Sequence, residues 1–314
     1  MRNLSFDSGC DSWEVAYVEV RDTIDVKIAP GVKLTDAQSA YLREKAAWVW
    51  RETLRIHKRA PETRIASSLS PIEVFVALYY GGVLAFDPRN PRWEGRDRVI
   101  VSKGHGSVAM YPILADLGFF DREELTRVGT VGSFLGGIPD PVIPGYETVN
   151  GSLGHGPGVA CGMALALKKR KSSSRVYVMV GEGELDEGAV WEAIMFAGHH
   201  RLDNLTLIVD SNAKCMLGYS AQVLDLLPLR PKFEAFGWRV EDVDGHDVAA
   251  VHAALQRGRA ADAGKPFALV ANTVKGRGVP VLENDPICHV RTLKPDEVDR
   301  LTGDADAADA RTHA

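Results

Sequence analysis

Residues 175–212 read RVYVMVGEGELDEGAVWEAIMFAGHHRLDNLTLIVDSN, and the fold follows from this stretch. Two unbroken apolar runs, Arg175–Val180 and Leu205–Asp210, flank a helical segment, Glu187–His200. A strand that is apolar on both sides is covered on both faces, which is the habit of parallel sheets packed between helices. A helix between two such strands is the crossover that a parallel pair requires. The pattern extends outward in both directions. Arg98–Ser102, Trp238–Val243 and Phe267–Thr273 read as further strands; Ser107–Leu117, Val159–Lys171 and Asp247–Arg257 read as helices. The expected fold class is α/β, a mostly parallel sheet with helices on both faces. In such a sheet ligands bind beyond the carboxyl ends of the strands. The places to inspect are therefore the segments after Ser102, Val180, Asp210 and Thr273.

The rest of the 314 residues agrees with a globular chain. Hydrophobic residues make up 45% and charged residues 25%, too apolar for a disordered protein. A formal charge of −5 gives no basic footprint for nucleic acid. Cys10, Cys161, Cys215 and Cys288 are widely separated, which argues against a disulfide framework or structural zinc and for free, buried thiols. No run approaches the ~20 apolar residues of a spanning helix, and a cytoplasmic location is expected. Residues 1–34 read as an N-terminal arm, 35–300 as the folded domain and 301–314 as a flexible tail. Thr35-Asp36-Ala37-Gln38 has the form of a capping box opening a helix to about His57. Ser70-Pro71-Ile72-Glu73 predicts a second capped start.

The loop Gly181-Glu182-Gly183-Glu184-Leu185-Asp186-Glu187-Gly188 carries the chemistry. Two glycines let backbone approach a ligand, and the following helix offers N–H groups to a phosphate. Four acids in the same loop repel an anion unless a cation stands between, and Mg²⁺ is the ion suited to that place. Asn212, at the end of the next strand, offers a second neutral oxygen. On its own, such a loop is more simply a turn whose acids cap a helix. GxGxxG is absent, since Asp186 stands where the third glycine belongs, which removes a Rossmann dehydrogenase.

The stretch 181–212 resembles the thiamine diphosphate signature of transketolases, in which GDG is followed by Asn about 30 residues on. Other segments are similar to transketolase elements in the same order. SPIEVFVALYYGGVLAFDPRNPRWEGRDRVIVSKGH ends in the SKGH element, GSLGHGPGVACGMALA resembles GSLGQG, and KPFALVANTVKGRGV with Cys288-His289 resembles KGRG…WHG. The resemblance covers roughly residues 36–295. It implies that Glu182 and Asn212 hold Mg²⁺ through side chains and Lys214 through its carbonyl. It implies that Gly183, His105 and His289 contact the diphosphate, the two histidines being the catalytic candidates. Gly181 and Glu184 belong to the same cofactor loop. Leu153 and Gly154 are expected near the cofactor rings, Lys103 and Lys275 as counter-charges, and Glu187 in the loop or at a subunit interface. The family's pyrimidine-binding half, with the glutamate that promotes cofactor deprotonation, has no counterpart in these 314 residues. The resemblance thus implies half an enzyme, completed by a second chain, as an α2β2 assembly.

Three departures stand out. Glu182 replaces the metal-binding Asp of GDG. Arg64 falls where a GHPG-like element has histidine, and Ile138 where a PGHPE-like element has one. In the family those histidines face the sugar donor, so an altered donor is expected, with Arg64 placed to meet a carboxylate or phosphate. Two alternatives stand beside this. One is a chain that takes a 2-oxo acid such as pyruvate and passes the unit to a carrier-bound or other unusual acceptor. The other is a non-catalytic regulatory homologue. For Arg64 the competing expectation is a surface salt bridge.

Overall fold

The computed structural model describes residues 28–29, 31–260 and 264–312, with side chains through 303. Most of the expected arm therefore lies outside the described residues; Ile28 within it is buried against the body. Five parallel strands form one sheet: β1 (Arg98–Val101), β2 (Val176–Gly181), β3 (Leu205–Ser211), β4 (Arg239–Asp244) and β5 (Phe267–Asn272). Their spatial order is β1-β2-β3-β5-β4. The helices are α1 (Asp36–Arg59), α2 (Ile65–Leu69), α3 (Ile72–Tyr79), α4 (Met110–Asp116), α5 (His155–Lys169), α6 (Gly188–His199), α7 (Ser220–Val223), α8 (Arg230–Ala235), α9 (Val248–Arg259), α10 (Pro280–Glu283) and α11 (Pro295–Thr312).

Alternation along the strands splits the interior into two cores, as the period of two requires. Val176, Val178 and Val180 face α5, α6 and α8; Tyr177 and Met179 face the side of α1, α3, α4 and α9. Every residue of β3 is buried, which explains its unbroken apolar sequence. β4, at the sheet edge, is the most open strand, with Val240 its single buried residue.

The capping box at Thr35 is present: its hydroxyl accepts the Gln38 N–H at 3.2 Å and Gln38 accepts the Thr35 N–H at 2.9 Å. The one expected at Ser70 is not. Pro71 precedes α3 without a side-chain cap, the Ser70 hydroxyl turns to Asp210 at 2.7 Å, and Glu73 pairs with His246 at 3.1 Å. Tertiary partners deeper in the fold outcompete the local ones. The helix expected to start at Val159 begins four residues earlier, because Gly154 takes a left-handed φ of 83° and Pro157 suits a first turn. Residues 104–109, expected as α-helix in part, wind as a 3₁₀ turn before α4. Helix α11 runs through Thr312, into the segment expected as the tail from 301. Pro295, Asp296 and Glu297 open that helix favourably. Val298 and Thr302 are buried, and Leu301 packs on the core. Of the described cysteines, Cys161 and Cys288 are buried free thiols, whereas Cys215 is half-buried.

The segment that brings His289 to the sheet is held by His57, which is fully buried on α1. Thr63 donates its hydroxyl to Ala60 O at 2.7 Å, so its oxygen accepts from His57 Nδ1 at 2.9 Å. His57 Nε2 in turn accepts the Leu293 N–H at 3.1 Å. Both ring nitrogens are thus used by a neutral imidazole. Burial pushes the His57 pKa down to about 4, opposed only in part by the Thr63 bond. A histidine in the unfolded chain titrates near 6.5, so the unfolded state takes up the proton first on acidification. The stabilisation is complete above pH 6.5 and is lost as pH falls towards 4, in total about 3 kcal/mol. Urea unfolding between pH 7 and pH 4 should show this loss. His57→Leu should cost stability at neutral pH and flatten the acid slope by up to one proton; an unchanged slope would exclude the role.

Candidate functional site

The loops after β1, β2, β3 and β5 meet at one end of the sheet, and their polar side chains are tied together by two buried carboxylates. Asp210, 1% exposed, ends β3. Its Oδ2 receives the Lys103 ammonium in an ion pair, the Ser70 hydroxyl at 2.7 Å and the Asn212 amide at 3.0 Å. Its Oδ1 receives the Thr273 hydroxyl. Burial raises the Asp210 pKa, but Lys103 and three side-chain bonds outweigh it and hold the carboxyl below its usual value. One charge thereby fastens the loops after β1, β3 and β5 to the start of α3.

Glu184 does the same for the other side of the site. Its Oε1 accepts from the Ser102 hydroxyl and from the Gly154 N–H at 2.9 Å, and its Oε2 from the Gly181 N–H at 3.2 Å. The Ser102 oxygen then accepts the Gly156 N–H at 3.1 Å. Burial raises the Glu184 pKa against these bonds. Glu184 and Gly181 thus sit inside the loop framework. Glycine is required where backbones touch: a Cβ on Gly104 would lie 2.2 Å from Asn150 O, and one on Gly183 2.6 Å from Cys215 Cβ. Gly154 abuts the Glu187 side chain, which is otherwise exposed. Leu153, beside it, is 41% exposed.

Two groups of opposite character face this framework. The first is cationic. His105 and His289 lie with ring centroids 5.1 Å apart. His289 Nδ1 is 3.2 Å from Ser67 Oγ, and Ser68 donates to His105 O at 3.0 Å. Burial lowers the His289 pKa to about 3, with Lys275, His105, Lys103 and Arg64 adding to the shift. Burial likewise lowers His105, helped by Arg64, Lys275 and Lys103. Both imidazoles are neutral near pH 7 and serve as hydrogen-bonding groups among three cations. Lys275 is itself pushed down to about 8 by burial and by Lys103. Arg64 precedes α2 on this side and makes no ion pair among the described residues. Ile138 is 38% exposed; its side chain borders Gly151, and the neighbouring Pro139 borders Gly104.

The second group is oxygen-rich. Glu182 Oε2 accepts from the Ser211 hydroxyl at 2.7 Å and the Ala213 N–H at 3.0 Å. Its Oε1 has no hydrogen-bond partner among the described residues. Asn212 Oδ1 receives only a long 3.3 Å contact from the Lys214 N–H. The Lys214 carbonyl accepts from Lys275 Nζ at 3.0 Å and retains a second lone pair. Burial and the charges of Glu182 and Glu187 raise the pKa of Asp186. Among the described residues no three His, Cys, Asp or Glu side chains gather as a metal cluster. A divalent ion here would take one carboxylate, one amide oxygen and one carbonyl, with anionic ligand oxygens completing its shell. That incomplete all-oxygen set fits Mg²⁺ together with a diphosphate. The facing cations and imidazoles fit the diphosphate's remaining oxygens.

An α/β sheet whose strand-end loops gather neutral imidazoles and lysines beside such an oxygen set has the composition of a diphosphate-binding class of domain. The chain belongs to the transketolase family: the model of the transketolase thiamine diphosphate binding domain matches residues 65–306. It is 40% identical over 258 residues to a transketolase family protein of Sinorhizobium fredii, covering 82% of this chain and 92% of that one. It is 37% identical over 260 residues to an apulose-4-phosphate transketolase subunit of Actinobacillus succinogenes, covering 82% and 93%. A 6-deoxy-6-sulfo-D-fructose transketolase subunit from a Clostridium species is 40% identical over 226 residues, covering 72% and 82%. Among solved structures, the transketolase of Campylobacter jejuni superposes with a TM-score of 0.78 at 29% identity, over 85% of this chain but 43% of that one. The chain thus spans less than half of that transketolase.

Sequence reasoning missed Asp210, Ser70 and Thr273. A signal existed for the first: an acid closing a fully apolar strand must be paired if it is buried. Ser70 and Thr273 carried none, since only the fold brings them to Asp210. Glu184→Ala should strand the Ser102 hydroxyl and the N–H groups of Gly154 and Gly181. A loss of about 2–4 kcal/mol in urea unfolding is expected; a loss under about 0.5 kcal/mol would show that the loops hold without it.

Proposed function

We propose that this chain is the diphosphate-binding subunit of a split thiamine-diphosphate-dependent transferase that moves a two-carbon unit, with the pyrimidine-binding half on a separate chain. The observation that carries the reading is the gathering of Arg64, Lys103, Lys275, His105 and His289 beside the oxygens of Glu182, Asn212 and Lys214 at the carboxyl end of the sheet, with Lys275 bonded to the Lys214 carbonyl. Coverage supports the split. The chain accounts for 92% and 93% of two relatives but only 37% of mouse transketolase. The relative from Actinobacillus is itself described as one subunit of its enzyme.

In this reading Glu182, Asn212 and the Lys214 carbonyl hold Mg²⁺. Glutamate reaches one methylene further than the family's aspartate, and Ser211 and Ala213 fix its second oxygen so that Oε1 alone turns outward. His105, His289 and the Gly183 backbone take diphosphate oxygens, and Lys103 and Lys275 neutralise the charge. Leu153 and Gly154 lie beside the cofactor rings, with Glu187 behind them at the subunit boundary. Thiamine diphosphate supplies an electron sink that stabilises the carbanion left when the donor's carbon–carbon bond breaks. The neutral imidazoles of His105 and His289 would offer hydrogen bonds to the cofactor and to donor hydroxyls without adding charge. The partner covers the apolar groups that α5 and α6 leave exposed, Val159, Met195 and Phe196. An α2β2 assembly working in the cytoplasm is consistent with a site completed between chains.

Arg64 sets the donor. It stands beside His105 and His289 without a carboxylate partner among the described residues, so in this reading it meets an anionic group on the donor: phosphate, sulfonate or carboxylate. Two relatives are named for an anionic sugar, a sulfo-fructose and apulose-4-phosphate. Ile138, in place of a hydrogen-bonding histidine, disfavours a donor hydroxyl at that point. A 2-oxo acid satisfies the same cation and is the second reading. With a partner chain present, Arg64→Ala should raise KM for a ketose phosphate about tenfold or more and leave neutral erythrulose within about twofold. Release of CO₂ from pyruvate, lost in the same variant, would favour the 2-oxo acid. Equal losses on charged and neutral donors would remove Arg64 from donor selection.

A further inference from the structure

Asn212 is useful to a cation only if its oxygen, and not its amide nitrogen, faces Glu182 and Lys214. The two ends of an amide are nearly the same shape, so packing alone does not choose between them. Hydrogen bonding does. Nδ2 donates to Asp210 Oδ2 at 3.0 Å, and Oδ1 accepts from the Lys214 N–H at 3.3 Å. The reversed amide would set its oxygen against a carboxylate and its NH₂ against an N–H, two mismatches in place of two bonds. The Lys103 ammonium and the hydroxyls of Ser70 and Thr273 hold the Asp210 carboxylate in the position that receives the Asn212 amide.

Building on the metal site proposed above, we propose that Asp210, with Lys103 as its counter-charge, is a positioning residue that locks the Asn212 amide with its oxygen towards the metal. It touches neither metal nor cofactor. It acts by denying Asn212 the orientation in which an N–H would meet the ion. Partners that orient a metal ligand in this way typically carry 10- to 100-fold of metal affinity.

The test uses the full-length chain mixed with one carrying the other transketolase half, with thiamine diphosphate and Mn²⁺, and reads free Mn²⁺ by electron paramagnetic resonance after correction for binding to the cofactor alone. Glu182→Gln defines the part of the binding that belongs to this site. Lys103→Met with Asp210→Leu removes the pair without changing net charge or leaving a buried ion unpaired. That double variant should bind Mn²⁺ at least tenfold more weakly. The comparison is then repeated in an Asn212→Ala background, where no amide remains to be oriented. There the same double substitution should change affinity by less than threefold. A tenfold loss in both backgrounds would mean that the pair merely supports the fold, and no loss in either would mean that it does nothing for Asn212; each result overturns the inference. Wild-type protein whose Mn²⁺ binding is unaffected by Glu182→Gln would overturn the metal site itself, and the inference with it. If circular dichroism shows the double variant unfolded, Asp210→Ala is put through the same cycle with the same criteria.

Discussion

A carboxylate with almost no access to water closes the central strand of the sheet, and the geometry of the site depends on its being ionised. Asp210 collects an ammonium, two hydroxyls and an amide from four separate segments. Burying a lone carboxylate is costly, and even a buried pair is stabilising only when its remaining lone pairs are also satisfied. Here they are. The consequence is architectural: the loops after β1, β3 and β5 cannot drift apart without stranding a charge. Glu184 repeats the device between the loops after β1 and β2 and the start of α5. Because these two carboxylates are taken up by the framework, Glu182, Asn212 and the Lys214 carbonyl bear the oxygens with spare lone pairs.

That division of labour explains how acids and cations share one small region. The four acids of the 182–187 loop do not act alike. Glu184 is a clamp, Glu182 offers a single oxygen, and Asp186 and Glu187 lie on the open side of the loop. Across the pocket, burial and three cations keep two imidazoles neutral, so they contribute donors and acceptors without adding charge. A ligand with several negative oxygens and a divalent ion meets complementary surfaces on both sides. A neutral sugar alone would meet neither.

Much of this was legible in the sequence because its causes are local. Unbroken apolar strands spaced by helices specify a parallel sheet, and loops at the carboxyl ends of such strands specify where ligands go. The capping box at Thr35 needs only four neighbouring residues and was readable. The apparent one at Ser70 has the same form but fails, because Asp210 lies 140 positions away in sequence and competes for the hydroxyl. The helical continuation past residue 301 was obscured by a composition rich in Asp and Ala. What reveals it is the burial of Val298 and Thr302 against the body, a tertiary fact. Arg64 was readable as a departure from the family, but its place beside His105 and His289 was not.

The central claim is that this chain supplies the metal and diphosphate end of a site completed by another chain. Calorimetric titration of thiamine diphosphate tests it most directly, using the chain mixed with one carrying the other transketolase half, with and without Mg²⁺. The account predicts one cofactor per copy of this chain, binding that requires Mg²⁺, and its loss in Glu182→Gln. Binding of equal strength without the metal, or unaffected by that substitution, would contradict it.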